Sequence, residues 1–361
     1  MLCGGEIVRI QRMIQEHDGV KTRIALMGVG RIGVGHGASL AAISDVHLTI
    51  CDLDGERARS VADELASQFP DADISHATSA EVFSHSEAYD GVVIATPTAT
   101  HEELILRCAE AKLPFFCEKP VAVDLEGTVR CIDAVQKAGI ASQIGFQRRF
   151  DPGYVEARRR VQSGELGEIH RVHMMTCDQT PPPEYFVAQS GGIWRDCLIH
   201  DFDILRWVTG HEVEEVFAYG AVRGANYFRA HGDIDEGVAV LRMDDDTLVT
   251  AHTSRNNGQG YDVRMEISGT RANATVGLEP KMPLVSAEPG VTFPHDEPWV
   301  DFIARFRHCY EVELRAFVDT AAGRAPSPCP IEDALEALHI ALAVGKSREE
   351  GRPIRVAEIR Q

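Results

Sequence analysis

The feature that most constrains this chain is Gly28-Val29-Gly30-Arg31-Ile32-Gly33, a G-x-G-x-x-G set between a short apolar run, Arg23 to Met27, and a helical stretch toward Ile43. A second apolar run, Val46 to Ile50, follows and ends at Cys51-Asp52, about twenty residues past the motif. Alone, the glycine pattern is a plain turn. Strand before, helix after and acid at the end of the next strand make it a dinucleotide cradle. Gly28 permits the tight turn, Gly30 leaves room for a pyrophosphate against the backbone, and Gly33 lets helix and strand pack closely. The helix N-terminus then offers free N–H groups to phosphate oxygens. Asp52 is placed to accept from adenosine ribose hydroxyls and to repel a 2′-phosphate, which favours NAD over NADP. The alternative role for Asp52 is to cap the following helix. Arg57 and Arg59 read as exposed helix residues.

Further apolar runs at Gly91–Ala95 and Pro114–Cys117 alternate with helical spacing over 56–69, 100–111 and 125–138. Thr100 and Glu103 have the spacing of a capping box. This alternation predicts parallel βαβ units. Beyond Gly145 the pattern changes. Extended stretches at 168–177, 213–222, 237–243, 248–255, 262–268 and 272–278 are joined by turns such as Asp244-Asp245-Asp246 and Ser268-Gly269-Thr270. Helical segments lie at 192–209, 299–322 and 331–350. The expected fold class is therefore α/β: an N-terminal Rossmann dinucleotide-binding domain at 21–145, then an α+β domain with a mostly antiparallel open sheet at 146–361. Residues 1–20 read as an extension. A length of 361 residues suits two domains.

Formal charge excludes some functions. Thirty-six Lys and Arg against 55 Asp and Glu leave a net charge of −19, which repels nucleic acid backbones and anionic lipid. The nine cysteines form no C-x-x-C pair and sit mostly in apolar runs. They are expected to be reduced core thiols, not zinc ligands, in a cytoplasmic protein. Charges at Glu6, Arg9, Arg12, Glu16 and Asp18 break any signal-peptide run.

Two segments concentrate polar groups. Glu118-Lys119-Pro120 follows a strand, and ligands gather at strand carboxyl ends in such sheets. Pro120 restricts Lys119, making it a positioned ammonium; a solvated lysine beside a turn proline is the plain alternative. In Ser190-Gly191-Gly192-Ile193-Trp194-Arg195-Asp196-Cys197-Leu198-Ile199-His200-Asp201-Phe202-Asp203, Asp196 and His200 are spaced i, i+4 and would share a helix face. A carboxylate beside the imidazole would raise its pKa and fix its tautomer, as a general acid or base requires. An exposed ion pair, or a metal site using His200 and the aspartates, are the other uses of that spacing; no metal is expected.

Together with Ala95-Thr96-Pro97-Thr98, His101 and Gly145-Phe146-Gln147-Arg148-Arg149-Phe150-Asp151, these motifs make the chain resemble the glucose–fructose oxidoreductase and inositol dehydrogenase (Gfo/Idh/MocA) family from about residue 21 to 355. The branch it most resembles is the myo-inositol 2-dehydrogenases. The resemblance implies that Lys119, Asp196 and His200 are catalytic. It implies a cofactor site of Gly28, Val29, Gly30, Arg31, Ile32, Gly33, Asp52, Thr96, Pro97, Thr98, His101, Glu118 and Lys119. It implies that Arg149, Asp178 and Tyr261 line the polyol pocket with Lys119, Asp196 and His200. Many relatives carry Arg-Asp-Pro where this chain has Cys177-Asp178-Gln179, in a loop expected to cover the substrate.

The expected chemistry is oxidation of a ring hydroxyl of a cyclitol or sugar with NAD as acceptor, most simply myo-inositol to its 2-ketone. His200 would take the hydroxyl proton and Lys119 would stabilise the oxygen. A dehydrogenase for another sugar, an NAD-retaining glycosidase of the same fold and a non-catalytic dinucleotide sensor are the competing readings. Six predicted strands with few helices after residue 210 leave a sheet face to cover, so a homo-oligomer, dimer or tetramer, is expected.

Overall fold

The computed structural model describes residues 21–360; the expected extension at 1–20 lies outside the described residues. Six parallel strands, β1 (Thr22–Met27), β2 (Val46–Cys51), β3 (Asp73–Ala77), β4 (Gly91–Ile94), β5 (Phe115–Glu118) and β6 (Ser142–Gly145), form one sheet in the order β3-β2-β1-β4-β5-β6. β4 and β5 are buried along their whole length, and β1 and β2 at all but one residue each. That is what strands covered on both faces require. Helices α1 (Arg31–Ala41), α2 (Gly55–Gln68), α3 (Ser79–Ser84), α4 (His101–Ala111) and α5 (Leu125–Ala138) connect them. Strand order reverses between β1 and β4, which opens a crevice above their carboxyl ends.

β3 and β6 carry no apolar run, so the sequence pattern misses them. β6 is defined by its pairing with β5 and by buried Gln143, whose Nε2 donates to the Glu313 carbonyl at 2.9 Å. The expected capping box at α4 does not form. Thr100 has near-helical backbone angles (φ −105°, ψ −6°), whereas a capping residue needs extended ones. Its Oγ1 instead donates to the Pro97 carbonyl at 2.9 Å and shares a hydrogen bond with Thr96 Oγ1 at 2.7 Å.

The second sheet has the order β12-β11-β7-β10-β9-β8-β13, built from β7 (Ile169–Cys177), β8 (Val213–Ala221), β9 (Glu236–Met243), β10 (Leu248–Ser254), β11 (Asp262–Gly269), β12 (Asn273–Val276) and β13 (Ile354–Arg355). Its neighbours are antiparallel except β7 and β10, which run parallel. The other helices are α6 (Pro152–Gln162), α7 (Glu184–Ser190), α8 (Ile193–Asp196), α9 (Ile199–Thr209), α10 (Tyr227–Ala230), α11 (Phe302–Ala321) and α12 (Ile331–Glu350). Helices cover one face of the sheet. The other presents Tyr219, Val238, Val240 and Leu248 to solvent.

Two findings depart from the expected layout. The stretch 192–209 is two helices, not one; the chain kinks at Cys197 (φ −91°, ψ −66°) between α8 and α9. Helix α11, late in the chain, packs on the first sheet: Leu314, Phe317 and Val318 are fully buried with Ile24, Leu26, Val93 and Phe116. Gly91 admits it, since a Cβ there would lie 2.9 Å from the Ala321 Cβ. All eight cysteines among the described residues are buried and unpaired. Among the same residues, no helix is long and apolar enough to cross a membrane.

Candidate active site

The glycine turn fits a dinucleotide on direct geometric grounds. A Cβ on Gly33 would sit 2.0 Å from the Gly28 carbonyl oxygen, so helix α1 can approach β1 only with glycine there. A Cβ on Gly30 would meet nothing within 4 Å. That glycine is not required by the protein's own packing, and it faces the open space where a pyrophosphate would lie. No acid occupies the first turn of α1, so its unpaired N–H groups face that space without a competing charge. Val29 N–H donates to Asp52 Oδ2 at 2.9 Å and Asp54 N–H to Asp52 Oδ1 at 3.1 Å. Capping of α2 falls to Asp54, which accepts from Glu56 and Arg57 N–H. Asp52 is thus held at the tip of β2 with lone pairs left for a ribose. Arg57 is exposed, as expected, but it is also tethered, donating to the Val29 carbonyl at 2.7 Å.

Across the crevice, the residues around β4 and β5 mostly support one another. The His101 ring lies between two backbone carbonyls, Pro120 (2.8 Å to Nδ1) and Thr96 (2.9 Å to Nε2). It ties the loop after β4 to the loop after β5, and burial holds its pKa below the usual imidazole value. The Thr98–Thr100 segment forms one 3-10 turn behind Pro97. Glu118 Oε1 lies 2.7 Å from Nε2 of His36, a buried residue of α1. Glu118 therefore fastens the glycine-turn helix to the strand that carries Lys119.

Lys119 reaches the second domain. Its Nζ donates to the Asp196 carbonyl at 2.7 Å and to Asp196 Oδ1 at 3.1 Å. Asp196 Oδ2 accepts from Arg255 Nη2 at 2.6 Å, and Arg255 Nη1 donates to Asp178 Oδ2 at 2.7 Å. Burial alone would push the Asp196 carboxyl up, but Lys119 and Arg255 together hold it below the usual carboxylate range.

The expected Asp196–His200 pair is not made. The kink at Cys197 removes the shared helix face, and Lys119 and Arg255 take both oxygens of Asp196. The pKa of His200 moves opposite to expectation. Burial first, then the charges of Lys119 and Arg148, hold the imidazole well below its ordinary value, with only Asp196 opposing. Its ring meets the Phe146 ring edge-on at 5.7 Å, and its buried Nδ1 has no hydrogen-bond partner among the described residues. A neutral imidazole next to a fixed ammonium is a proton acceptor at neutral pH.

Of the residues assigned to the pocket by resemblance, Asp178 joins this cluster through Arg255. Tyr261 is buried against Phe306, ring centroids 6.5 Å apart. Burial pushes its phenol well up. Arg149 is placed elsewhere. Its guanidinium grips Asp203 with two nitrogens (2.9 and 2.5 Å) and Asp333 with the third (2.8 Å), and its side chain is 4% exposed. It links α9 to α12. Arg148 pairs with Asp201 and Thr176 in the interior.

Arg255 and His36 stand in no local motif, and Arg148, inside the 145–151 stretch, carries no role there; an arginine just past a strand end next to Asn256 and Asn257 is the weak signal Arg255 leaves.

Similarity to known proteins places both halves of the chain in one family. The profile described as the oxidoreductase family, NAD-binding Rossmann fold, matches residues 22–146, and the GFO/IDH/MocA C-terminal domain matches 154–275. The chain is 34% identical to a myo-inositol dehydrogenase of Streptomyces leeuwenhoekii, over 91% of this chain and 98% of that one. It is 32% identical to a scyllo-inositol 2-dehydrogenase (NAD(+)) of Bacillus subtilis, over 93% and 96%. Its fold superposes on a crystal structure of a myo-inositol dehydrogenase from Corynebacterium glutamicum with a TM-score of 0.82, at 32% identity, covering 93% and 99%.

Proposed function

The chain belongs to the GFO/IDH/MocA family of NAD-binding oxidoreductases, and from that premise we propose that it is an inositol 2-dehydrogenase, oxidising a ring hydroxyl of myo-inositol or a stereoisomer to the ketone. The observation that carries the reading is Lys119 in contact with Asp196 and near enough to His200 for its charge to depress the imidazole pKa, at the carboxyl end of β5. Relatives named for inositol substrates over nearly their whole length support the substrate class.

NAD, when bound, supplies the two-electron acceptor. The chain supplies geometry and proton handling. Lys119 has three N–H donors and spends two on Asp196. The third is left for the reacting hydroxyl oxygen, where it stabilises negative charge as the proton departs. His200, held neutral, accepts that proton. Asp196 stays ionised and, bonded to Lys119 and Arg255 and not to the imidazole, stabilises the resulting histidinium through its charge alone. Asp178, fixed by Arg255, Tyr261 and the loop at 178–192 are the polar groups placed to read the other hydroxyls.

The exposed sheet face with Tyr219, Val238, Val240 and Leu248 is the surface on which a second copy packs in this reading, giving a homo-oligomer. Eight buried reduced thiols support a cytoplasmic location.

The test is NADH formation at 340 nm with NAD and a panel of inositol isomers and aldoses, repeated with NADP. Turnover of an inositol with NAD is the expected result. Release of free sugar from a glycoside without net NADH would replace the reading with a hydrolase that retains its cofactor.

A further inference from the structure

Buried Arg255 holds two half-buried carboxylates at once, and the fold is built to let it. β7 and β10 are the parallel pair in an otherwise antiparallel sheet, with Cys177 opposite Ser254 in register. Their carboxyl ends therefore lie side by side, and the next residue on each is Asp178 and Arg255. Asp178 N–H donates to the Ser254 carbonyl at 2.9 Å, and Arg255 N–H to the Asp235 carbonyl at 2.8 Å, so both backbones are fixed. The guanidinium fork then gives one nitrogen to Asp178 (2.7 Å) and the other to Asp196 (2.6 Å), with 4% of its side chain exposed.

We propose that Arg255 is a positioning residue for the reaction: it clamps Asp196 toward Lys119 and away from His200, so that the imidazole is left as the proton acceptor. The inference rests on the dehydrogenase reading above and adds a residue to it.

The argument is charge balance in a closed space. Asp178 and Asp196 carry two negative charges; Lys119 and Arg255 carry two positive ones. The cluster is neutral without a proton on His200. The groups facing that imidazole are Lys119 from the loop after β5, Arg148 from the 147–150 turn, Asp196 from α8 and the ring of Phe146. Those facing Arg255 are Asp196, Asp178, the Cys197 thiol, the Asp233 carboxyl and the Tyr227 phenol. Without Arg255, two carboxylates share one ammonium. Asp196 is then released from its 2.6 Å contact, and His200, whose imidazole feels the Asp196 charge, can take a proton to restore balance. Protonated in advance, it cannot act as base. A bidentate clamp also does what an ammonium cannot, since one Nζ does not reach both carboxylates in the plane of the fork.

The experiment compares wild type, R255Q and R255K, using NAD and the inositol isomer that wild type oxidises. R255Q is expected to lose turnover by ~100-fold, with NAD affinity unchanged and the acid limb of kcat/KM moved up by about one pH unit. R255K is expected to lie between, with the limb part-way back. Wild-type turnover and limb in R255Q overturns the proposal. So does a loss of activity that tracks a lower melting temperature with the limb unmoved, which marks a purely structural arginine. If R255Q does not fold, R255K decides by the same two readouts. K119A and H200A, run alongside, separate the two levels: if they too keep turnover, the dehydrogenase site is wrong, and if they alone lose it, only the clamp is.

Discussion

Lys119 donates twice to Asp196, to its carbonyl at 2.7 Å and to its carboxylate at 3.1 Å. The first residue lies just past the end of strand β5 and the second in helix α8, 77 positions later. One ammonium thus spans the two halves of the molecule at the mouth of the crevice. Burial first, and then the charges of Lys119 and Arg148, hold the His200 imidazole neutral where an isolated Asp–His pair would hold it protonated.

H200A should bind NAD as wild type does, because His200 lies outside the glycine turn and the residues expected to hold the cofactor. Turnover should fall by ~10²–10⁴-fold in H200A, the usual worth of a positioned acid or base. Equilibrium titration of NAD alongside steady-state NADH formation checks both halves.

The low imidazole pKa sets the pH profile. His200 is a base only when neutral, and it is neutral above its pKa. Activity should therefore persist below about pH 6.5, the ordinary histidine value. Replacing Lys119 by methionine removes a cation and should raise the limb while lowering the rate. Stability runs the other way: the unfolded chain protonates this histidine below about 6.5 and the folded one resists, so this residue favours unfolding as pH falls. A kcat/KM profile that breaks at or above the free imidazole value contradicts the assignment.

The two glycines of the turn should fail differently. G33A forces a Cβ to within 2.0 Å of a carbonyl oxygen and should lower the apo-protein's stability by about 1–3 kcal/mol. G30A has open space and an ordinary φ of −72°. Its apo-protein should melt normally and lose NAD affinity. Thermal melts with and without NAD distinguish them.

D52A should weaken NAD by ~10–100-fold, the worth of hydrogen bonds to a charged acceptor. It should narrow the preference over NADP, since the charge that repels a 2′-phosphate is gone while Arg57 stays tethered beside it. The ratio of kcat/KM for the two cofactors reads this directly.

R149M leaves Asp203 buried without its partner and should destabilise the protein by about 3–5 kcal/mol. A rise in the polyol KM at unchanged melting temperature would instead return Arg149 to the substrate pocket.

Much of this was legible along the chain. The glycine turn, Asp52 and Glu118-Lys119-Pro120 stand at the ends of local apolar runs, where a strand's carboxyl end can be read from its neighbours. Repeating strand and helix periods likewise announce a Rossmann unit and a following sheet, because burial on one face or two imposes those periods. The partners of the reacting groups were not legible. Asp196 and His200 look paired because spacing assumes an unbroken helix, and the kink at Cys197 is decided by packing. Arg255 meets Asp178 through a parallel strand pairing that no local pattern records, and Arg149 finds Asp203 and Asp333 across separate helices. Helix α11 reaches the first sheet from two hundred residues away in sequence. Periodicity is a local consequence of burial, so the chain alone determined the elements and their order. Which charge neutralises which is settled by distances through space, and only the folded structure sets those.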